Sequence, residues 1–264
     1  MLNQFNSIQP NPRPLRAWFV SDIHILSADD SRYARFRKFL EDRLQDGTTH
    51  LFLVGDIFDL WVGGHDFFSH RYSTVVDAIR RLVESKVEIH YFEGNHDLHL
   101  SDFWHKEIGV NVHREYQVFN FGSFRVRVEH GDQMNPEDTG YLILRKFLRT
   151  PPITWLAETL PGEVIQRIGH TMSRSSRKWT SSNFKARNEN AIRKMIRAHA
   201  AKVYESQPFD LLISGHVHVQ DDHQWSPRVG ERARSVGLGC WLVDKPSEVL
   251  CLDPSGANWQ RISP

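Results

Sequence analysis

The stretch "HLFLVGDIFDLWVGGHD", residues 50–66, passes from an apolar run into a loop that holds Asp56, Asp59, His65 and Asp66 among three glycines. A short continuous apolar run bounded by turn residues reads as a strand buried on both faces, as in a parallel sheet. Carboxylates crowded just past its end repel one another unless positive charge lies between them. Four further segments make the same transition: "RAWFVSDIH" (16–24), "EIHYFEGNHD" (88–97), "FRVRVEHGD" (124–132) and "FDLLISGHVH" (209–218). Amphipathic patterns at helical spacing, "SRYARFRKFLEDRL" (31–44) and "YSTVVDAIRRLVES" (72–85), fill the gaps between the strands near 16, 50 and 88. Strand, helix, strand, helix, strand implies parallel pairing through right-handed crossovers, and hence an α/β fold. "EYQVFNFGSFRVRVEHG" alternates like a hairpin turning at 120–123, and strands near 234–243 and 247–253 are expected to complete an antiparallel part.

At 264 residues, 40% apolar and 25% charged, the chain has the composition of a folded domain with a sizeable core, which excludes a disordered one. No apolar run approaches the roughly 20 residues that span a bilayer. The N-terminal "MLNQFNSIQPNPRPLR" lacks the basic-then-apolar order of a signal peptide. Two cysteines, Cys240 and Cys251, make no disulfide framework, so a cytoplasmic location is expected. The net charge of +1 hides an asymmetry: residues 137–206 hold thirteen Lys/Arg against six Asp/Glu, so this segment is basic and the rest acidic. The same region breaks the strand–helix rhythm, with helical stretches at about 138–149, 162–178 and 184–205 separated by "TPPITW" and "WTSSN". The expected organisation is a core of residues 1–133 and 207–264 carrying a helical insertion, or cap, at 134–206.

The carboxyl ends of strands in an open α/β sheet converge on one rim. That rim would collect Asp22 and His24; Asp56 and Asp59; Asn95, His96 and Asp97; His130 and Asp132; His216 and His218. Every member is an oxygen or imidazole donor and none is a thiol, a set that suits divalent manganese, iron, magnesium or zinc. Asp22, His24, Asp56, Asn95, His130, His216 and His218 are too many for one ion. Two ions sharing a carboxylate use all seven, and would acidify a bound water enough to make it a nucleophile near neutral pH. Single D-x-H or GD-x-x-D motifs are commonly turns or caps; five in order, each after an apolar run, are specific.

The order D-x-H, GD-x-x-D, GNHD, HGD, GHVH resembles the calcineurin-like metallophosphoesterases over residues 18–218. The resemblance implies a four-layer α/β/β/α sandwich. It also implies that Asp22, His24, Asp56 and His218 hold one metal ion, and that Asp56, Asn95, His130 and His216 hold the second, with manganese the expected ion. His96 would be the catalytic imidazole, oriented by Asp97. Within that family the chain is most similar to the UDP-2,3-diacylglucosamine pyrophosphatases of lipid A synthesis, through "SDIHI", "GDIFDLWVGGHD", "HGDQMNPEDTGYLILRKFLR", "LPGEVIQRIGHTMSRSS" and "GLGCW". Such enzymes release UMP and leave the diacyl sugar phosphate. By this resemblance Asn95, His96, Asp138, Ser176 and His216 would touch substrate, with Tyr141 and Arg145 nearby. The chain departs from the branch at two points: His96 stands where GNRD has arginine, and Cys240 where LGDW has aspartate.

In "VIQRIGHTM" (164–172), Val164, Ile165, Ile168 and Met172 form an apolar stripe among Arg167, Arg174, Arg177 and Lys178, near Trp155 and Trp179. A basic amphipathic helix with tryptophans suits peripheral contact with an anionic membrane; packing on the core is the plainer use of such a stripe. Trp61, Phe67 and Phe68 would line the substrate pocket or belong to the core. A relative acting on a soluble phosphodiester or phosphomonoester is the main alternative function. Nucleic-acid binding by the basic segment is disfavoured by its scattered charges and few interleaved aromatics. A non-catalytic scaffold is disfavoured by the complete ligand set.

Overall fold

The computed structural model describes residues 6–7, 13–169, 189–243 and 245–262. Five segments carry the frame: β1 (Ala17–Val20), α1 (Ser31–Arg43), β2 (His50–Leu53), α2 (Ser73–Glu84) and β3 (Glu88–Phe92). The three strands pair in parallel, Phe19 opposite Phe52 and Phe52 opposite His90. Further along lie β4 (Asn111–His113), β5 (Gln117–Phe121), β6 (Phe124–Glu129), α3 (Thr139–Leu148) and α4 (Pro151–Thr159). The chain continues with α5 (Glu189–Ser206), β7 (Leu211–Ser214), β8 (Gln220–Trp225), β9 (Ala233–Leu238), β10 (Ser247–Asp253) and β11 (Gly256–Ile262). One sheet runs β11-β10-β1-β2-β3-β4; the other runs from Asn6–Ser7 through β5-β6-β7-β9-β8.

Side-chain alternation stacks these layers. Trp18, Val20, Leu51, Leu53, Ile89 and Tyr91 point to Phe36, Phe39 and Ile79 of the helices α1 and α2. Their neighbours Ala17, Phe19, Phe52 and Phe92 face Phe119, Val126, Val128, Ile213 and Val236 of the other sheet. Phe52 lies 4.5 Å from Phe19 and 4.9 Å from Phe119 between ring centroids, so aromatic contacts cross the gap between sheets. On the far face of the second sheet, Leu212 packs with Ala200 and Tyr204 of α5. Helix, sheet, sheet and helix follow one another, because the central strands β1, β2 and β7 are buried on both faces.

The hairpin Phe121↔Phe124 lies where its alternation placed it. Two expectations need correcting. "TPPITW" does not separate helices: it begins α4, with proline in the first turn, where its missing N–H is no loss. The strand expected near 234–243 ends at Leu238; it and the strand near 247–253 do join antiparallel pairs, but in different sheets. β9 pairs in parallel with β7 and antiparallel with β8, whereas β10 lies between β1 and β11. Helix also covers residues 162–169; the expected stretch beyond 169 falls outside the described residues.

Histidines occupy the space between the sheets. His90 stacks on Phe52 at 4.8 Å, and its Nδ1 lies 3.0 Å from Nε2 of His113. Burial pushes His90 down from 6.5, and burial followed by His90 pushes His113 from 6.5 to about 3. The neutral forms therefore belong to the folded state. Their stabilising effect is complete above pH 6.5 and is lost as pH falls toward 3. Urea unfolding of His113→Gln should lose less stability between pH 6.5 and 4 than the unsubstituted protein; equal losses would contradict this account.

Candidate metal centre

Each cluster follows a strand and curls into the same rim. Among the described non-glycine residues, seven have positive φ, and five are candidate ligands: Asp22 (50°), His24 (50°), Asp56 (54°), His216 (69°) and His218 (56°). Left-handed backbone at such residues costs about 1–3 kcal/mol each and persists only where the surroundings over-determine it. Here the loops brace one another. The Asp22 N–H donates to the Gly55 carbonyl at 3.1 Å, that of His24 to Asp56 at 3.0 Å, and that of Gly215 to His130 at 2.9 Å. Two glycines make room: a Cβ at Gly94 would collide with the Asp56 carboxylate, and one at Gly55 with the His130 ring.

All seven expected ligands meet. His218 Nε2 lies 3.2 Å from Asp22 Oδ1 and 3.0 Å from His24 Nε2. His24 Nε2 is 3.8 Å from Asp56 Oδ2, which is 3.6 Å from His130 Nε2. Asn95 Oδ1 completes the far side, 2.9 Å from His216 Nδ1 and 3.4 Å from His130 Nε2. Three donor groups result: Asp22, His24 and His218; His24, Asp56 and His96; Asp56, His130 and His216, with ligand atoms within 4.8 Å of one another in each. Asp56 belongs to two of them.

The electrostatics call for cations. Burial alone would raise both carboxyls, yet Asp22 is held below its usual range by His218, and Asp56 well below it by His130 and His96. Against the cost of burial, Asp56 raises His130 to about 10, while burial pushes His24 down to about 4. Two ionised carboxylates thus share a closed site, and Asp22 Oδ1 is buried without a hydrogen bond. His130 Nδ1 donates to the Val54 carbonyl at 2.9 Å, which turns its Nε2 toward Asp56. An orphaned carboxylate oxygen, an imidazole oriented from behind and a donor set of oxygen and nitrogen fit divalent metal ions.

The remaining candidates take several places. His96 lies at the centre, its ring 4.8 Å from that of His24, and its Nδ1 donates to the Asp59 carbonyl at 2.7 Å. The expected orienting partner, Asp97, bonds elsewhere: it accepts from the backbone N–H groups of Asp56, Ile57 and Gly94 and from the Tyr91 hydroxyl. Burial, followed by Asp56, raises Asp97 to about 7. Asp132 accepts from Tyr141 at 2.6 Å and Arg145 at 2.7 Å, so these two grip the His130 loop. Asp138 is exposed and caps α3 through the Tyr141 N–H. Trp61 and Phe68 are core, with Phe67 packed against it. Ser176, Arg174, Arg177, Lys178, Met172 and Trp179 lie outside the described residues. Sequence reading missed the Val54 and Asp59 carbonyls and the Tyr91 hydroxyl; backbone acceptors carry no residue signature.

Exchange of Gly94 for alanine should abolish most metal binding with little change in overall secondary structure, measured by metal content after dialysis and circular dichroism. Full metal retention would show that the Gly94 contact does not shape the cradle.

The profile of the calcineurin-like phosphoesterase family matches residues 15–220. A UDP-2,3-diacylglucosamine hydrolase of Enterobacter sp. (strain 638) is 30% identical over 223 residues, covering 84% of this chain and 90% of the relative. One from Actinobacillus succinogenes is 28% identical over 246 residues, covering 93% and 99%. Among solved structures, vacuolar protein sorting 29 of Cryptosporidium parvum aligns over 94% of this chain and 97% of its own, with 12% identity and a TM-score of 0.44. With its five motifs gathered on one rim, the chain belongs to the calcineurin-like phosphoesterase family and is a metal-dependent hydrolase.

Proposed function

We propose that this hydrolase cleaves the pyrophosphate of UDP-2,3-diacylglucosamine to UMP and the diacylglucosamine 1-phosphate, using two divalent ions, with manganese preferred. In this reading Asp22, His24, Asp56 and His218 hold one ion; Asp56, Asn95, His130 and His216 hold the other. When bound, the ions supply Lewis acidity and an acidified water. The protein supplies orientation. His96 is fixed by its Nδ1–H bond to the Asp59 carbonyl, which leaves Nε2 for the substrate. In protonated form that nitrogen donates to the leaving oxygen. Asp97 acts at one remove, by holding the Asp56 and Gly94 backbones. Within the expected cap at 134–206, α3 and α4 serve that role, whereas α5 packs on the second sheet as part of the core.

The observation that carries the lipid part is an apolar surface on the helical region. Ile143, Phe147, Trp155, Leu156, Val164 and Ile168 are all exposed, with Trp155 at 65%. On α3, Tyr141 and Arg145 reach inward to the loop of His130, while Ile143 and Phe147 stay outside. One helix thus carries greasy surface outside and grips the loop of a cradle residue inside, as suits an enzyme meeting an acylated substrate at an anionic membrane. No helix among the described residues is long and apolar enough to cross a membrane. A soluble phosphoester substrate is the second reading, favoured by His96 in place of the arginine of GNRD.

Three results test the assignment. Incubation with UDP-2,3-diacylglucosamine and, in parallel, bis-p-nitrophenyl phosphate, both with manganese, should release UMP from the first; hydrolysis of the second alone would select the soluble reading. His96→Ala should lower the maximal rate by roughly 10²–10⁴-fold with metal content unchanged; loss of metal would instead make this residue a ligand. The double variant Phe147→Ser, Trp155→Ser should bind anionic liposomes about ten-fold or more weakly, since each buried aromatic contributes about 1.5–3 kcal/mol. Unchanged co-sedimentation would remove these side chains from any membrane contact.

A further inference from the structure

Beside the metal cradle lies a second cavity of about 210 Å³, whose walls include Glu93, Arg114, Tyr116, Arg127, Glu129 and His130. His130 is common to both spaces. A cavity of about 150 Å³ takes a benzene ring, so this one has room for a single planar ring.

Its walls are charged and mostly buried: Glu93, Arg127, Glu129 and His130 are all at least 93% buried. Arg127 pairs with Glu129 at 2.8 Å, and Glu129 also meets His199. Glu93 is different. Its Oε1 accepts from the Leu100 N–H at 3.1 Å, while its Oε2, buried with no hydrogen bond, forms an ion pair with Arg149 Nη2 at 3.5 Å. The Arg114 side chain is half exposed, and its Nε is 3.7 Å from Glu93. Tyr116, 44% exposed, lies under the Arg127 guanidinium at 3.6 Å from the ring centroid.

An acyl chain would strand these charges against hydrocarbon. A second phosphate would meet buried carboxylates. The fitting ligand is neutral, flat and able both to donate and to accept hydrogen bonds. We propose that this cavity receives the nucleobase of the substrate, a pyrimidine. In the bound state a ring N–H donates to the Glu93 carboxylate, a ring carbonyl accepts from Arg114, and the ring packs against Tyr116. The assignment rests on the nucleotide-linked substrate reading above.

The test compares UMP with ribose 5-phosphate, which lacks the base, by calorimetric titration of the manganese-loaded full chain. The intact protein should bind UMP at least ten-fold more tightly. Glu93→Gln, which keeps the size of the side chain, and Arg114→Ala, at the half-exposed mouth, should each bring the ratio of dissociation constants toward one. Equal binding of the two ligands by the intact protein overturns the proposal, as does a ratio that survives both substitutions. Release of UMP from UDP-2,3-diacylglucosamine without base discrimination would sink this cavity and leave the hydrolase reading intact. Base discrimination lost in both variants, without cleavage of that lipid, would uphold the cavity and sink the lipid.

Discussion

Two carboxylates, Asp22 and Asp56, are held ionised and almost wholly out of water on one rim, and the rest of the molecule is arranged around that conflict. Desolvation alone would neutralise them. They stay charged because imidazoles carried by the other sheet, His218 and His130, press positive charge against them. Such a site is unfavourable as a structural element. Its logic lies in what it attracts, and the left-handed backbone of five donor residues is the conformational cost of pointing them at one volume.

The sandwich meets that cost from both layers. β1, β2 and β3 deliver Asp22, Asp56 and Asn95, while β6 and β7 deliver His130 and His216 from the other sheet. Aromatic packing of Phe19, Phe52 and Phe119 between the layers fixes their spacing, so the two halves of the donor set cannot drift apart independently. Asp97 adds a tie within the first half, gathering the backbones of Asp56, Ile57 and Gly94 on one carboxylate. α3 adds another from outside, where Tyr141 and Arg145 hold Asp132. Position of the helical region and shape of the centre are therefore linked through side chains already in place.

Much of this was legible in the chain of letters, for a physical reason. A strand buried on both faces is mostly apolar, so the jump to Asp22, Asp56 or His216 marks its end clearly; β6, with Arg127 and Glu129 buried within it, is less plain. Ligands carried on short loops immediately after strands inherit their placement from topology. What escaped notice depended on other kinds of contact. The Val54 and Asp59 carbonyls that set the tautomers of His130 and His96 are backbone groups, identical at every residue. Asp97 beside His96 looked like its partner, but the carboxylate turns inward to Tyr91. Pro151 and Pro152 resembled a break because proline interrupts helices, although the first turn tolerates it. β9 and β10 are neighbours in sequence and strangers in space, a matter of sheet membership that alternation does not encode.

Metal stoichiometry of the purified protein, saturated with manganese and dialysed, addresses the charge conflict most directly, alongside the same measurement on Asp56→Ala. Two ions per chain in the intact protein, falling to one or none when the shared carboxylate is removed, is the outcome that follows from Asp56 lying in two of the three donor groups. An intact protein that retains no manganese, or a variant that retains both ions, would mean that these acids and imidazoles are gathered for some other purpose.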